Sequence, residues 1–350
     1  MRALTVLPGV AKSARLDDVP EPSLSDGSIL VRSIALGVCG TDREIVGGEY
    51  GAAPAGDERL IVGHESFGRV ESAPAGSGFA PGDFVVGIVR RPDPVPCPAC
   101  AADEWDMCRN GLYTERGIKE RHGFCAERFR IEPDFAVKVD PGLGLCGVLM
   151  EPTSIVAKAW DHIERVGKRS HSWEPRVLAV TGAGPIGLLA ALMGKQRGLD
   201  VHVLDHNDNA PKPALTQSLG ATYHANSLAD LDKLQADIVI ECTGAIAVIA
   251  GVLGHTAPSG IVCLAGVTAP GRMAELDIGS LNRTMVLNNE VVFGTVNANR
   301  KHYEMAADAL AKADRAWLER LITRRVPLAR WSEALERRPG DIKVIIDFTS

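Results

Sequence analysis

At 350 residues, with 45% hydrophobic and 23% charged side chains, the chain exceeds what one hydrophobic core usually serves and reads as about two globular domains without disordered tracts. A net charge of -6, with lysines and arginines scattered, excludes the basic field that a nucleic-acid partner requires. No apolar run is long enough to cross a bilayer, and the opening run is broken by Pro8-Gly9 too soon for a secretory core, so a cytoplasmic protein is expected.

The first 150 or so residues alternate short β-branched runs with turn residues: Ile29-Leu30-Val31-Arg32, Gly68-Arg69-Val70 and Asp83 to Val89, the last fed by the Pro81-Gly82-Asp83 turn. This predicts a compact β-rich module that carries its chemistry on loops. Within it stand Cys39-Gly40-Thr41-Asp42 and Gly63-His64-Glu65. Cys39 and His64 offer the borderline-soft donors that zinc takes, and Glu65 and Glu151 are carboxylates able to complete a tetrahedron that keeps one position open.

Three of the eight cysteines crowd into Cys97-x-x-Cys100-x7-Cys108, the spacing of a structural zinc loop with one ligand missing; Asp93, Asp103 and Asp106 are the candidates for it. Cys125, Cys146, Cys242 and Cys263 stand singly and are expected to be small core residues. The lone histidines His162, His171, His202, His224, His255 and His302 show no partner spacing and read as surface or core filler.

After Glu151 the pattern changes. A helix is predicted over Ile155–Val166, a buried parallel strand over Arg176–Val180, a helix over Leu188–Arg197, a strand over Val201–Leu204, a helix over Pro213–Leu219, and strands at Ile238–Ile240 and Ile261–Leu264. Alternating strand and helix specify a doubly wound α/β unit. A helix over His302–Lys312 and a final strand at Ile342–Phe348 follow, the strand being expected to rejoin the first domain.

The first strand-to-helix turn of that unit is Gly182-Ala183-Gly184-Pro185-Ile186-Gly187. Its glycines permit a tight turn, close approach of the backbone to a pyrophosphate and close packing of helix on strand, and the helix N-terminus offers unpaired N–H donors. Asp205 ends the next strand, where a carboxylate accepts from a ribose 2′-hydroxyl and repels a 2′-phosphate, favouring NAD. His206 and Asn207 occupy places where an NADP enzyme would offer arginines, and neither is a dependable cation.

Taken together, Gly37-Val38-Cys39-Gly40-Thr41-Asp42, Gly63-His64-Glu65-x-x-Gly68-x-Val70, Pro81-Gly82-Asp83-x-Val85, His122-Gly123-Phe124, Glu151-Pro152 and the glycine turn resemble the medium-chain zinc-dependent alcohol dehydrogenases from end to end. Val89-Arg90-Arg91-Pro92, Tyr113 to Ile118 and Gly294-Thr295-Val296-Asn297 are most similar to the glucose dehydrogenase branch. The resemblance implies a GroES-like β-rich catalytic domain (1–156 and 299–350) and a Rossmann domain (157–298). It implies a zinc-dependent oxidoreductase moving a hydride from C1 of an aldose, with D-glucose the best single choice, to NAD, or alternatively NADP. Another sugar, polyol or secondary alcohol is the runner-up substrate, and a metal-free nucleotide-binding protein the remote alternative.

By that resemblance Glu115 and Asn297 would bond sugar hydroxyls, and Glu65 and Glu151 would each be a zinc ligand or a substrate contact. Thr41 would accept or relay the hydroxyl proton. Thr243, Gly244, Ala265, Val267, Thr295 and Asn297 would join Gly182, Gly184, Pro185, Ile186 and Gly187 around the cofactor. The lobe of three cysteines departs from the family's usual four, which puts its metal in question. A homodimer or homotetramer is expected.

Overall fold

A computed structural model describes residues 1–206, 211–225 and 231–350. Two compact units emerge: Met1–Ser154 with Asn297–Ser350, and Ile155–Val296. The divisions fall two residues before those drawn from the sequence, the first of them inside the helix Met150–Gly167.

In the first unit the hydrogen-bonded path runs Ala136–Val139, Phe84–Gly87, Glu65–Ser72, Ile29–Val38, Lys343–Asp347 and Ile322–Pro327, with Arg128–Ile131 also paired to Ile29–Val38. The period-2 alternation of Ile29–Val38 buries Ile29, Val31, Ser33 and Ala35 on one side. These apolar faces close over a core that includes Leu36, Val38, Val70, Phe124, Phe129 and Ile346. As the sequence requires, the final strand returns: Val344–Asp347 pairs antiparallel with Ala35–Val38. Glu65 lies opposite Gly37 on the other side of that same strand.

In the second unit six parallel strands run in the order Thr222–Ala225, Asp200–Asp205, Val177–Thr181, Ala236–Glu241, Thr256–Leu264 and Val291–Gly294. This is the doubly wound order of dinucleotide-binding folds, and the strand Val177–Thr181 sits where that order reverses. The helix Pro185–Gln196 follows the glycine turn, with proline at its first position, where the missing N–H costs nothing. No described helix is long and apolar enough to cross a membrane.

Candidate active site

The two metal-ligand motifs meet because adjacent elements present them. Cys39 ends the strand Ile29–Val38 and caps the helix Gly40–Gly47, while His64 precedes the strand Glu65–Ser72. Cys39 Sγ lies 3.2 Å from His64 Nε2. Sγ, the imidazole and a Glu65 carboxylate oxygen all fall within 4.8 Å of one another, a soft, nitrogen and oxygen donor set that suits zinc.

The other face of His64 is governed by Asp42. Asp42 Oδ2 accepts the Cys39 backbone N–H at 2.9 Å, and Oδ1 lies 3.3 Å from His64 Nδ1. One buried carboxylate thereby stands against both Cys39 and His64, on the Nδ1 side of the ring, with Nε2 beside Sγ. The sequence motif contained Asp42, but its role went unassigned; the Cys39-x-x-Asp42 spacing of a helix-capping pair is the signal that could have found it.

Glu65 has a partner that sequence reading missed. Lys343 Nζ, from the last strand, lies 2.7 and 2.5 Å from the two Glu65 oxygens, and both side chains are at most 3% exposed. Gly37 makes room for this pair: a Cβ there would stand 1.9 Å from Glu65 Oε2. Glu65, expected as a zinc ligand or substrate contact, is therefore already paired with a lysine where it stands beside Cys39 and His64. Glu151, on the helix Met150–Gly167, is buried; its backbone carbonyl accepts the Ser154 hydroxyl at 2.6 Å, while its carboxylate receives no hydrogen bond from a described residue. Thr41 sits partly exposed in the first turn of the Gly40–Gly47 helix.

Burial dominates the electrostatics. It pushes the Cys39 thiol up, with His64 opposing; burial would lower His64, but Cys39 and Asp42 outweigh it and hold the imidazole well above its ordinary value. Glu151 is pushed up to about 7 by burial, with the Glu65 charge adding to the rise and His64 opposing. Metal binding must displace these protons, so zinc affinity is expected to fall about tenfold or more per pH unit on acidification, and more steeply below pH 7, where Glu151 also holds a proton. Competition with a chromophoric chelator between about pH 6 and 8.5 measures this; an affinity flat across that range would contradict it.

In the second unit the cofactor motif is formed as its glycines require. Gly182 has φ 91°, and a Cβ on Gly187 would stand 1.7 Å from the Gly182 carbonyl oxygen, so helix and strand can approach only without side chains. Thr243-Gly244 and Ala265–Val267 converge: a Cβ on Gly244 would meet the Val267 carbonyl at 2.3 Å, and one on Gly266 would meet Gly244 N at 2.1 Å. The buried Glu241, absent from the sequence expectations, accepts the Thr243 N–H at 2.7 Å and the Gly244 N–H at 3.2 Å and so fixes that loop. The Thr295 N–H bonds the Leu264 carbonyl at 3.0 Å, tying it to the same sheet end.

Asp205 stands at its strand's end, but it is not unpaired. Its Oδ2 accepts the Ala183 N–H at 2.7 Å and lies 2.9 Å from Lys212 Nζ, a cation the sequence reading missed. His206 is 90% exposed beside it, and Asn207 lies outside the described residues. The simple picture of an isolated carboxylate repelling a 2′-phosphate is thus corrected.

Glu115 and Asn297, 182 positions apart, are brought together: Asn297 Nδ2 donates to Glu115 Oε1 at 2.6 Å, and Arg90 Nε donates to the same oxygen at 3.0 Å. All three side chains are buried, and Asn297 adopts φ 64°, a conformation asparagine tolerates better than most residues. In the cysteine lobe Cys97, Cys100 and Cys108 place their sulfurs within 4.8 Å of one another. Cys125, Cys146 and Cys263 are buried core residues and Cys242 is half-buried; all eight cysteines are free. At least three histidines expected to stand alone do not: His202 Nδ1 is 2.9 Å from His224 Nε2, because parallel pairing places their strands side by side, and the buried His302 accepts the Asn299 N–H at 3.2 Å through Nδ1, which lies 3.9 Å from Asp106 Oδ2.

The family model described as the alcohol dehydrogenase GroES-like domain matches residues 25–141, and that described as the glucose dehydrogenase C-terminus matches 144–348. The chain belongs to the glucose dehydrogenase branch of the zinc-dependent medium-chain alcohol dehydrogenases. Among these dehydrogenases it is 38% identical over 357 residues to glucose 1-dehydrogenase of Methanocella arvoryzae, covering 99% of both chains. It is 39% identical over 352 residues to glucose 1-dehydrogenase 2 of Vulcanisaeta moutnovskia, again covering 99% of both. The solved Haloferax mediterranei glucose dehydrogenase in complex with NADP, Zn and gluconolactone matches with a TM-score of 0.91 and 31% identity over 100% of both chains. The donor set at Cys39 and His64 and the glycine cradle at Gly182–Gly187 fit the zinc and the NADP named for that solved neighbour.

Proposed function

We propose that this dehydrogenase oxidises an aldose at C1, with D-glucose the leading substrate and gluconolactone the product, passing the hydride to NAD(P). The observation that carries the reading is the approach of Cys39 Sγ to His64 Nε2, 3.2 Å, in a chain matched end to end by glucose 1-dehydrogenases.

When bound, zinc supplies a Lewis acid and the nicotinamide a hydride acceptor. Cys39 and His64 hold the metal, with Glu151 the third protein ligand: it is the buried carboxylate left without a hydrogen-bond donor, whereas Lys343 occupies both oxygens of Glu65. Asp42 keeps the His64 ring in its ligating tautomer. Thr41 takes or relays the hydroxyl proton. Glu115 and Asn297, prebonded to each other, bind sugar hydroxyls and orient C1. Gly182, Gly184, Pro185, Ile186 and Gly187 cradle the pyrophosphate, Thr243, Gly244, Ala265, Val267 and Thr295 line the cofactor path, and Asp205 with Lys212 and His206 receives the adenosine ribose. Because Lys212 offsets the Asp205 charge, NAD is favoured over NADP only modestly. Cys97, Cys100 and Cys108 hold a second, structural zinc.

The helix Ile278–Asn288 buries no residue, exposing Ile278, Val286 and Leu287, and lies in the same unit as the edge strand Val291–Gly294; this favours a dimer or tetramer formed through that edge. Eight free cysteines favour a reducing, cytoplasmic location.

The test is a panel of aldoses epimeric at each hydroxyl, with polyols and secondary alcohols, assayed with NAD and with NADP. Glucose turnover to the lactone is expected, and Glu115→Gln or Asn297→Ala is expected to raise KM for glucose by about 10-fold or more, the scale on which a lost hydrogen bond in a polar site discriminates. Turnover of polyols or secondary alcohols with none of any aldose would overturn the reading.

A further inference from the structure

The cysteine lobe supplies three sulfurs and, among the described residues, no imidazole or carboxylate oxygen that joins them within 4.8 Å. A tetrahedral zinc needs a fourth ligand. Of the three aspartates in the lobe, Asp106 is committed elsewhere: its Oδ1 accepts the Asn299 Nδ2 hydrogen at 2.8 Å, and its backbone carbonyl accepts from Arg90. Asp103 is exposed, at φ 59°.

Asp93 differs from both. It is 1% exposed, yet its Oδ2 has no hydrogen-bond partner, while Oδ1 accepts the Val95 N–H at 2.8 Å. A buried carboxylate oxygen without a donor is unfavourable unless something absent from the polypeptide satisfies it. The Asp93 backbone faces Cys100 Sγ, which sets Asp93 beside the cluster, and the Arg109 N–H donates to Cys97 Sγ at 3.4 Å. Backbone N–H groups aimed at sulfur are the supporting contacts that metal-bound thiolates use.

We propose that Asp93 is the fourth ligand of the lobe metal, giving a three-thiolate, one-carboxylate zinc site. This rests on the reading that the lobe holds zinc at all. To coordinate, the Asp93 side chain must turn from its present position toward the sulfurs, since no carboxylate oxygen of a described residue lies within 4.8 Å of all three. The site then carries a charge of -2 with zinc bound (three thiolates and one carboxylate against Zn²⁺).

The experiment uses the full-length protein in a Cys39→Ala background, so that any tightly bound metal reports the lobe. One zinc per chain is expected by elemental analysis. Asp93→Ala is expected to weaken zinc binding by at least about 100-fold, the upper end of what loss of a merely supporting partner costs. Asp93→Cys is expected to restore binding, and its cobalt-substituted form to show stronger sulfur-to-cobalt charge-transfer absorption than the cobalt-substituted Asp93 protein, because a fourth thiolate has joined three. NAD binding by the second unit serves as the folding control for each variant. Unchanged zinc affinity and an unchanged cobalt spectrum in Asp93→Ala would overturn the assignment of Asp93 while leaving the lobe metal in place. A Cys39→Ala protein that binds NAD but holds no zinc would instead overturn the lobe site itself.

Discussion

Replacing Lys343 by methionine is expected to cost about 3–5 kcal/mol of stability at pH 7, because it strands the Glu65 carboxylate as an unpaired charge in a site at most 3% exposed. Burial alone would lower the Lys343 value, but Glu65 outweighs it and holds the ammonium above its ordinary value of 10.5. The contribution of the pair is therefore fully present below that ordinary value and is lost only as pH rises through the higher, folded-state value. Denaturant melts at pH 7 measure the loss. The double variant Lys343→Met, Glu65→Gln is expected to regain most of it, since no charge is then left unpaired. A single variant as stable as the parent would show that the pair contributes nothing.

Replacing His64 by alanine is expected to remove the catalytic zinc and to lower kcat/KM by well over the roughly 10–100-fold that loss of a supporting partner costs. Asp42→Asn defines that smaller scale within the same site: the ring of His64 stays, but its orienting charge 3.3 Å away is gone. Elemental analysis beside steady-state rates distinguishes the two variants. The alanine variant should be metal-depleted and the asparagine variant metal-bound with weakened affinity. Full activity in His64→Ala would remove the metal site from the reaction.

The fold class was legible because each half carries a distinct periodicity. The apolar runs at Val177–Val180, Ile238–Ile240 and Ile261–Leu264 are too continuous for half-exposed strands and could be only the buried strands of a parallel sheet. Cys39, His64 and the glycine turn were legible because their chemistry depends on residue type and local spacing. Lys343 was not, for the opposite reason: it reaches Glu65 through strand register, across 278 positions, within a run that reads simply as apolar. Lys212 escaped similarly, seven positions after Asp205 and separated from it by a segment without a regular pattern. Glu115 and Asn297 were singled out by resemblance, but their 2.6 Å bond to each other could be seen only once both were placed. Asp93 was one of three equivalent aspartates in the sequence and became distinct only through its burial and its unpartnered oxygen.

The return of the last strand also sets an order of events during synthesis. The strand Ile29–Val38 emerges from the ribosome early, but its neighbour Lys343–Asp347 must wait for the whole of Ile155–Val296, 142 residues (296 − 155 + 1), to be translated first. At typical rates of about 5–20 residues per second that interval lasts roughly 7–28 s. During it the nascent catalytic unit has an open strand edge and a Glu65 with no counter-charge, while the intervening unit is free to fold as a continuous segment. Glu65 thus gains its counter-charge only after the intervening unit has been made, and a chain cut before Lys343 would carry Cys39, His64 and Glu151 beside an unpaired buried Glu65.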